Sequence, residues 1–148
     1  MILPDPRESS GLAITAPIEV VAAIIERGDH ILLARRDENS DQAGLWEFPG
    51  GKVEAGETQA VALRRELLEE LNIDAQVEQW IASNAWQKGQ RIIELHALRV
   101  SAFSGELALR CHSETVWVTA VQARDYDLAP ADVPLLEAYI TFLESKNL

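Results

Sequence analysis

The chain of 148 residues contains one cysteine, Cys111. A lone thiol excludes an internal disulfide and any cysteine-built zinc site, so neither staples the fold. No apolar run reaches the roughly 18 residues that cross a bilayer, and no membrane partner is expected. Residues 1–17 lack a basic stretch followed by a long apolar one, so no secretory signal is expected and a cytoplasmic location is. Basic residues are also scarce, with 13 Lys and Arg against 24 Asp and Glu and a formal net charge of −11. That field repels a phosphate backbone, which argues against long DNA or RNA as a partner. It repels a free nucleotide too. A phosphate-handling protein with this balance needs metal ions, or a few well-placed arginines, to collect its ligand. Glycine and proline are present at ordinary levels, which excludes collagen-like and wholly disordered chains.

With 47% hydrophobic residues, the chain suits one compact domain with a sizeable core. Residues 1–16 carry two prolines and adjacent serines with little periodicity, and read as a flexible tail before a domain over 17–148. From Ile18, in IEVVAAIIERGDHILLARR, two apolar runs flank Arg27-Gly28-Asp29, which predicts a hairpin whose strands are buried between layers. Residues 37–51 read as a polar, glycine-rich loop. A helix is predicted over 58–71, with Ala60, Leu63, Leu67 and Leu71 as its core stripe and Asn72 as a left-handed terminator. Strands are predicted at 75–85, 91–100 and 114–118. A last helix over 132–144 presents Leu135, Leu136, Tyr139, Ile140 and Leu143 to the core, with Pro134 in its first turn. The expected fold class is α/β or α+β, a mixed sheet between two main helices.

The chemistry concentrates on the first helix. Glu66, Glu69 and Glu70 stand at i, i+3 and i+4, so their carboxylates share one face. Like charges at that spacing repel by a few tenths of a kcal/mol, roughly, so folding alone gains nothing from the arrangement. Glu57 adds a fourth carboxylate where the loop enters the helix. Hard divalent cations take oxygen ligands, and magnesium in particular combines a few carboxylates with water and substrate phosphates. The plainer alternative is a solvated acidic stripe paired with Arg64 and Arg65, a common and weakly stabilising arrangement.

The complete spacing favours the metal reading. It resembles the Nudix box, in which glycine, five residues, Glu, seven residues, Arg-Glu, an aliphatic residue, any residue, Glu-Glu, any residue, glycine and an aliphatic residue follow one another. Gly51, Glu57, Arg65, Glu66, Leu67, Glu69, Glu70 and Ile73 match in register, and Asn72 stands at the second glycine. Asn also adopts the left-handed cap, so the departure is mild. From Ile18 to Leu143 the chain is similar to the mutator-T group, and most to its bacterial CTP pyrophosphohydrolase branch. VVAAIIER (20–27), SDQAGLWEFPGGKVE (40–54) and LAPADVPLLEA (128–138) carry that likeness.

The resemblance implies an α/β/α sandwich with a central mixed sheet. It implies a magnesium-dependent enzyme, with manganese as the alternative ion, that converts a nucleoside triphosphate and water to a monophosphate and pyrophosphate. Its substrates would be CTP or dCTP derivatives or oxidised nucleotides, removed from the nucleotide pool, and the protein would be a monomer or homodimer. Glu66, Glu69, Glu70 and the Gly51 carbonyl would hold metal, with Arg65, Glu66 and Glu69 in the catalytic set. Glu57 would bind metal indirectly or orient Arg65. Arg36 and Arg91 would contact substrate, Asp132 would read the base edge or cap the last helix, and Phe48 would line the pocket with Trp46 and Trp86.

One departure is more serious. Relatives carry a loop glutamate, as metal ligand or general base, where this chain has Cys111, and a thiol is a poor ligand for magnesium. Three alternatives stay open: His112 or Glu114 takes over, or Glu66 or Glu69 of the helix serves as base. The competing functions are a hydrolase of another nucleoside diphosphate derivative and a catalytically weak nucleotide-binding module.

Overall fold

A computed structural model describes residues 16–146. β1 (Ile18–Arg27) and β2 (His30–Arg36) form the predicted hairpin, and Gly28 takes the positive φ, 61°, that its turn requires. β3 (Trp46–Glu47) adds to β2, and β4 (Gly50–Lys52) adds to β1. Both lie inside the segment expected to be loop. Two- and three-residue strands leave no periodic signal, and the glycines in β4 argue against a strand on sequence grounds.

α1 (Gln59–Leu71) follows, then the long hairpin of β5 (Asp74–Lys88) and β6 (Arg91–Ser104), then β7 (His112–Thr119). The short α2 (Ala120–Ala123) and a 3₁₀ turn at Pro130–Asp132 lead into α3 (Val133–Lys146). The sheet runs β3-β2-β1-β6-β5, with β7 also on β2; β1 and β6 are parallel and the other pairs antiparallel. The two hairpin strands extend further than expected, and the last strand starts at His112 rather than near Glu114. Of the expected tail, residues 1–15 lie outside the described residues, while the Ala16 carbonyl accepts a hydrogen bond from Arg91 Nη2 at 2.9 Å. No described helix is long and apolar enough to cross a membrane.

The unbroken apolar run of β1 has a simple cause. Its residues alternate between two cores, as a strand's period of two demands. Val21, Ala23 and Ile25 pack with Leu63, Leu67 and Leu71 of α1. Ala22 and Ile24 pack on the other side with Leu135, Leu136, Tyr139 and Ile140 of α3. The layers are therefore α/β/α with a mixed sheet in the middle. Leu67 is fully buried, and truncating it to Ala would cost about 2–5 kcal/mol.

α1 is fixed at both ends by its own sequence. Thr58 Oγ1 accepts from the Val61 N–H at 3.1 Å, and Asn72 closes the helix at φ 61°, ψ 33°. The buried stripe contains Ala62 where Ala60 was expected, because the helix axis is turned so that Ala60 is only half covered. Leu143 at the far end of α3 is likewise half-buried rather than core.

Candidate active site

The glycine pair before the helix sets the close approach on which the site depends. A Cβ at Gly50 would lie 1.9 Å from the Val21 carbonyl oxygen, and one at Gly51 would lie 1.9 Å from Glu66 Oε2. Two residues without side chains let β4 lie flat on β1 and let the Glu66 carboxylate rest against β4. The bare backbone of Gly51 and the acidic face of α1 thus meet at one place.

Arg65 organises the outer part of that face. Its Nε and Nη2 donate to both Glu57 oxygens at 2.7 and 2.9 Å, and Nη2 also donates to the Lys52 carbonyl at 3.0 Å. Nη1 donates to Glu66 Oε1 at 2.7 Å and reaches Glu69 Oε2 at 3.5 Å. Glu57 further accepts from the Glu54 N–H at 2.9 Å. The Arg65 guanidinium and that N–H hold the Glu57 carboxyl down at about 2, and Arg65 is in turn held more firmly protonated by Glu57 and Glu66.

Glu70 is the opposite case. Burial, its hydrogen bond to Glu66, and the charges of Glu66, Glu47 and Glu69 push its carboxyl well above the usual range. Its Oε1 is buried with no hydrogen-bond partner. A buried carboxylate beside other carboxylates is stable only with a proton or a cation, and the oxygen-only donor set of Glu66, Glu69, Glu70 and the Gly51 carbonyl fits a hard divalent ion. Among the described residues no three acidic, His or Cys side chains are already gathered around one point. Taking up an ion therefore requires side-chain rotation, and the 3.5 Å contact to Glu69 is looser than those Arg65 makes with Glu57 and Glu66.

A cavity of about 750 Å³ runs from this acidic face to the start of α3, lined by Gly51, Glu70, Arg36, Glu47, Phe48 and Asp132 among others. Its size suits a nucleotide-sized ligand. The segment before the 3₁₀ turn is tied to β3, because Trp46 N–H donates to the Asp127 carbonyl and Ala129 N–H to the Trp46 carbonyl. That tie delivers Asp132 beneath Phe48. The Asp132 carboxylate is 5% exposed and accepts from the Phe48 N–H at 2.8 Å. It forms no bond to the first turn of α3, so the capping alternative is not realised. Burial raises its carboxyl to about 7, the Phe48 N–H opposes the rise, and the Glu47 charge adds to it. Phe48 itself is buried among the α3-side core residues and forms cavity wall.

Arg36 lines the cavity with Nη1 paired to Glu47 Oε1 at 2.7 Å and Nε donating to the Asp41 carbonyl. Arg91 lines it as well, with Nε buried and unpartnered. Among the candidates to replace a loop glutamate, Glu114 pairs with Arg35 at 2.9 Å on the surface and does not line the cavity. That candidate is set aside: the regular pairing of Glu114 with Arg35 turns it away. Cys111 is an exposed thiol in the cavity wall, raised by partial burial and the charges of Glu70, Asp37 and Glu66. His112 begins β7 rather than sitting in a loop. Its side chain is 3% exposed and its Nε2 lies 2.8 Å from Glu47 Oε2.

Glu47 is the residue that sequence reasoning missed. In the sequence it stands only as one residue of the polar loop over 37–51. The available signal was an acid between two aromatic residues, Trp46 and Phe48, where a two-residue strand turns alternate side chains to opposite sides.

The chain is similar in sequence and fold to known proteins. The NUDIX domain matches residues 16–139. The chain is 56% identical over 123 residues to the CTP pyrophosphohydrolase of Escherichia coli K12, covering 83% of this chain and 91% of that one. It is 43% identical over 116 residues to a putative 8-oxo-dGTP diphosphatase 2 of Mycobacterium tuberculosis, covering 76% and 81%. The solution structure of the E. coli ORF135 protein superimposes with a TM-score of 0.84 at 52% identity, over 90% of this chain and 95% of that one. Since the likeness spans the box helix, both cores and the cavity walls, the chain belongs to the Nudix hydrolase family.

Proposed function

We infer that this Nudix hydrolase is a nucleoside triphosphate pyrophosphohydrolase that works with magnesium and releases a nucleoside monophosphate and pyrophosphate. Nudix hydrolases typically use divalent metal ions. The observation that carries the reading is the unpartnered Glu70 oxygen, buried at the acidic end of a cavity whose other end holds Asp132. Such an oxygen is a cost to the fold unless a proton or a cation meets it, and the cation is the one that gives four clustered acids a use.

When bound, the ion neutralises triphosphate charge and acidifies and positions a water. Glu66, Glu69, Glu70 and the Gly51 carbonyl would hold it. Glu57 fixes Arg65, and Arg65 sets the rotamers of Glu66 and Glu69. Arg36 and Arg91 face the phosphates from the cavity wall and offset the net charge of −11. Water attacks the β-phosphorus, the bond from that phosphorus to the α–β bridging oxygen breaks, and the monophosphate leaves with that oxygen. Phe48 walls the base, and Asp132, with its carboxyl at about 7, presents either an acceptor or a donor to the base edge near neutral pH. An acceptor there suits the exocyclic amine of a cytosine, in keeping with the CTP pyrophosphohydrolase relative; the putative 8-oxo-dGTP diphosphatase relative points to oxidised purines as the second substrate class.

Cys111 favours a second reading, a nucleotide-binding module of low turnover. Pyrophosphate release from CTP, dCTP, 8-oxo-dGTP and the ordinary triphosphates, with magnesium and with chelator, decides between them. Metal-dependent release on cytidine or oxidised nucleotides is the expected result. Nucleotide binding by folded protein without release from any of these substrates overturns the hydrolase reading.

A further inference from the structure

β2 and β7 pair in regular register from His30↔Thr119 to Arg35↔Glu114, and then the register slips, so that Arg36 faces His112 instead of Ser113. One extra residue in β7 makes the difference. Because side chains alternate along a strand, the slip puts His112 on the Arg36 side of the sheet and Ser113 off it. Glu47 joins the same side from β3, since it pairs with Ala34, two residues before Arg36. A diagonal neighbour at that spacing is within reach of long side chains.

The three side chains form a chain of contacts along the cavity wall. Glu47 Oε1 accepts from Arg36 at 2.7 Å and Glu47 Oε2 accepts from His112 at 2.8 Å. The carboxylate facing Nε2 assigns the imidazole proton to that nitrogen. Nδ1 is buried without a partner. It has no accessible surface through which to reach a substrate, so the imidazole acts through its other nitrogen. A buried imidazole with one nitrogen unmet is a worse core residue than an apolar one of similar size. Its presence calls for a reason other than folding.

We propose that His112, brought opposite Arg36 by the β7 bulge, is a positioning residue that holds the Glu47 carboxylate and through it the Arg36 guanidinium toward the cavity. This rests on the reading of Arg36 as a phosphate contact. Glu47 is an anion in a cavity that must admit a polyphosphate. With one oxygen on Arg36 and the other on His112, the carboxylate is fixed and its lone pairs are turned to donors. With His112 gone, Glu47 can rotate, and the Arg36 guanidinium is left with only its Nε bond to the Asp41 carbonyl. His112 thereby acts on phosphate binding without touching phosphate, and it does not stand in for a loop glutamate as base.

The test is the affinity for a non-hydrolysable α,β-methylene triphosphate with magnesium, measured by titration calorimetry. It compares wild type, His112→Leu, His112→Gln and Glu47→Gln, each also in an Arg36→Ala background. His112→Leu is expected to weaken binding roughly tenfold, the scale of one lost hydrogen bond to a charged group. His112→Gln, whose amide N–H occupies the place of Nε2–H, is expected to recover most of it. In the Arg36→Ala background the His112→Leu and Glu47→Gln effects should nearly vanish, because coupled residues are not additive. An equal loss in both backgrounds, or a Gln variant as weak as Leu, overturns the proposal and makes His112 structural. Should His112→Leu fail to fold, Glu47→Gln and His112→Gln carry the same comparison. Wild type that binds the analogue but releases no pyrophosphate from triphosphates rejects the hydrolase reading and leaves this inference to stand on the binding data. Wild type that binds no nucleotide rejects both.

Discussion

Glu57 and Glu70 belong to the same box, and the fold moves their carboxyl groups in opposite directions. Glu57 meets both forks of Arg65 and a backbone N–H, and its carboxyl drops to about 2. Glu70 is buried against Glu66 and within the field of Glu47 and Glu69, and its carboxyl rises. One carboxylate is complete in the protein alone, while the other lacks a counter-charge that the chain does not provide. Spacing within the motif says that four acids are close together. Only the partners of each acid tell which one the fold completes and which one it leaves unmet.

The largest test of that contrast is Glu70→Gln. Turnover is expected to fall by about 10²–10³-fold, the scale of losing one strong electrostatic contact to the reacting group. Near neutral pH the metal-free protein should keep its stability, since the raised Glu70 carboxyl already holds a proton there and Gln leaves it neutral. Adding magnesium should raise the Tm of wild type and leave the variant unchanged. A Glu70→Gln protein as active as wild type would break the comparison.

Glu57→Gln should differ on both counts. It removes a satisfied partner of Arg65, so metal-free stability falls, and turnover drops by a smaller roughly 10–100-fold through the loosened Arg65. Chemical denaturation and steady-state rates on the same preparation check both. A variant of unchanged stability would show that the fork is ornamental.

Asp132 extends the contrast to pH. Its folded-state carboxyl, at about 7, lies above the unfolded value of 3.8, so the folded state holds its proton more tightly. Stability from this group is therefore greatest below the unfolded value and declines as pH rises to about 7. Glu57 has the opposite sign, contributing above its ordinary 4.5 and losing that contribution as pH falls toward 2. Urea titrations of chelated protein at about pH 5 and about pH 8 should show wild type losing more stability on the alkaline side than Asp132→Asn. Equal losses would mean that Asp132 does not carry the raised carboxyl. The smallest effect expected is for Glu114→Gln, which breaks an exposed pair with Arg35. Turnover should stay within about twofold and stability within about 0.5 kcal/mol; a larger loss of turnover would return Glu114 to the site.

What the sequence disclosed was mostly local. Thr58 and Asn72 bound the helix because capping depends on a few neighbouring residues. Glu66, Glu69 and Glu70 share a face because helical periodicity requires it. The buried strands were visible in the apolar runs that β1 divides between two cores. Residues that depend on distant pairing were not legible. Glu47 enters the site because β3 pairs with β2, and His112 does so because β7 carries an extra residue at Ser113. Asp132 showed an N-cap signature, and its tertiary bond to Phe48 prevails over it. Ala62 replaces Ala60 because packing against the sheet, not helical spacing alone, sets the rotation of α1.

The parallel pair of β1 with β6 has a consequence in time. Its register joins Ile18 to Ile93 and Ile25 to Val100, so the strand beneath the cavity finds its neighbour only after most of the chain has been made. Contacts of such long sequence separation close slowly, because the loop entropy is lost before the pairing repays it. During synthesis the box helix can form on a ribosome-bound chain well before the cavity wall exists. The acids of the box are then gathered on one helix face before β6 and β7 complete the cavity, and the nascent protein acquires its charge cluster before its pocket.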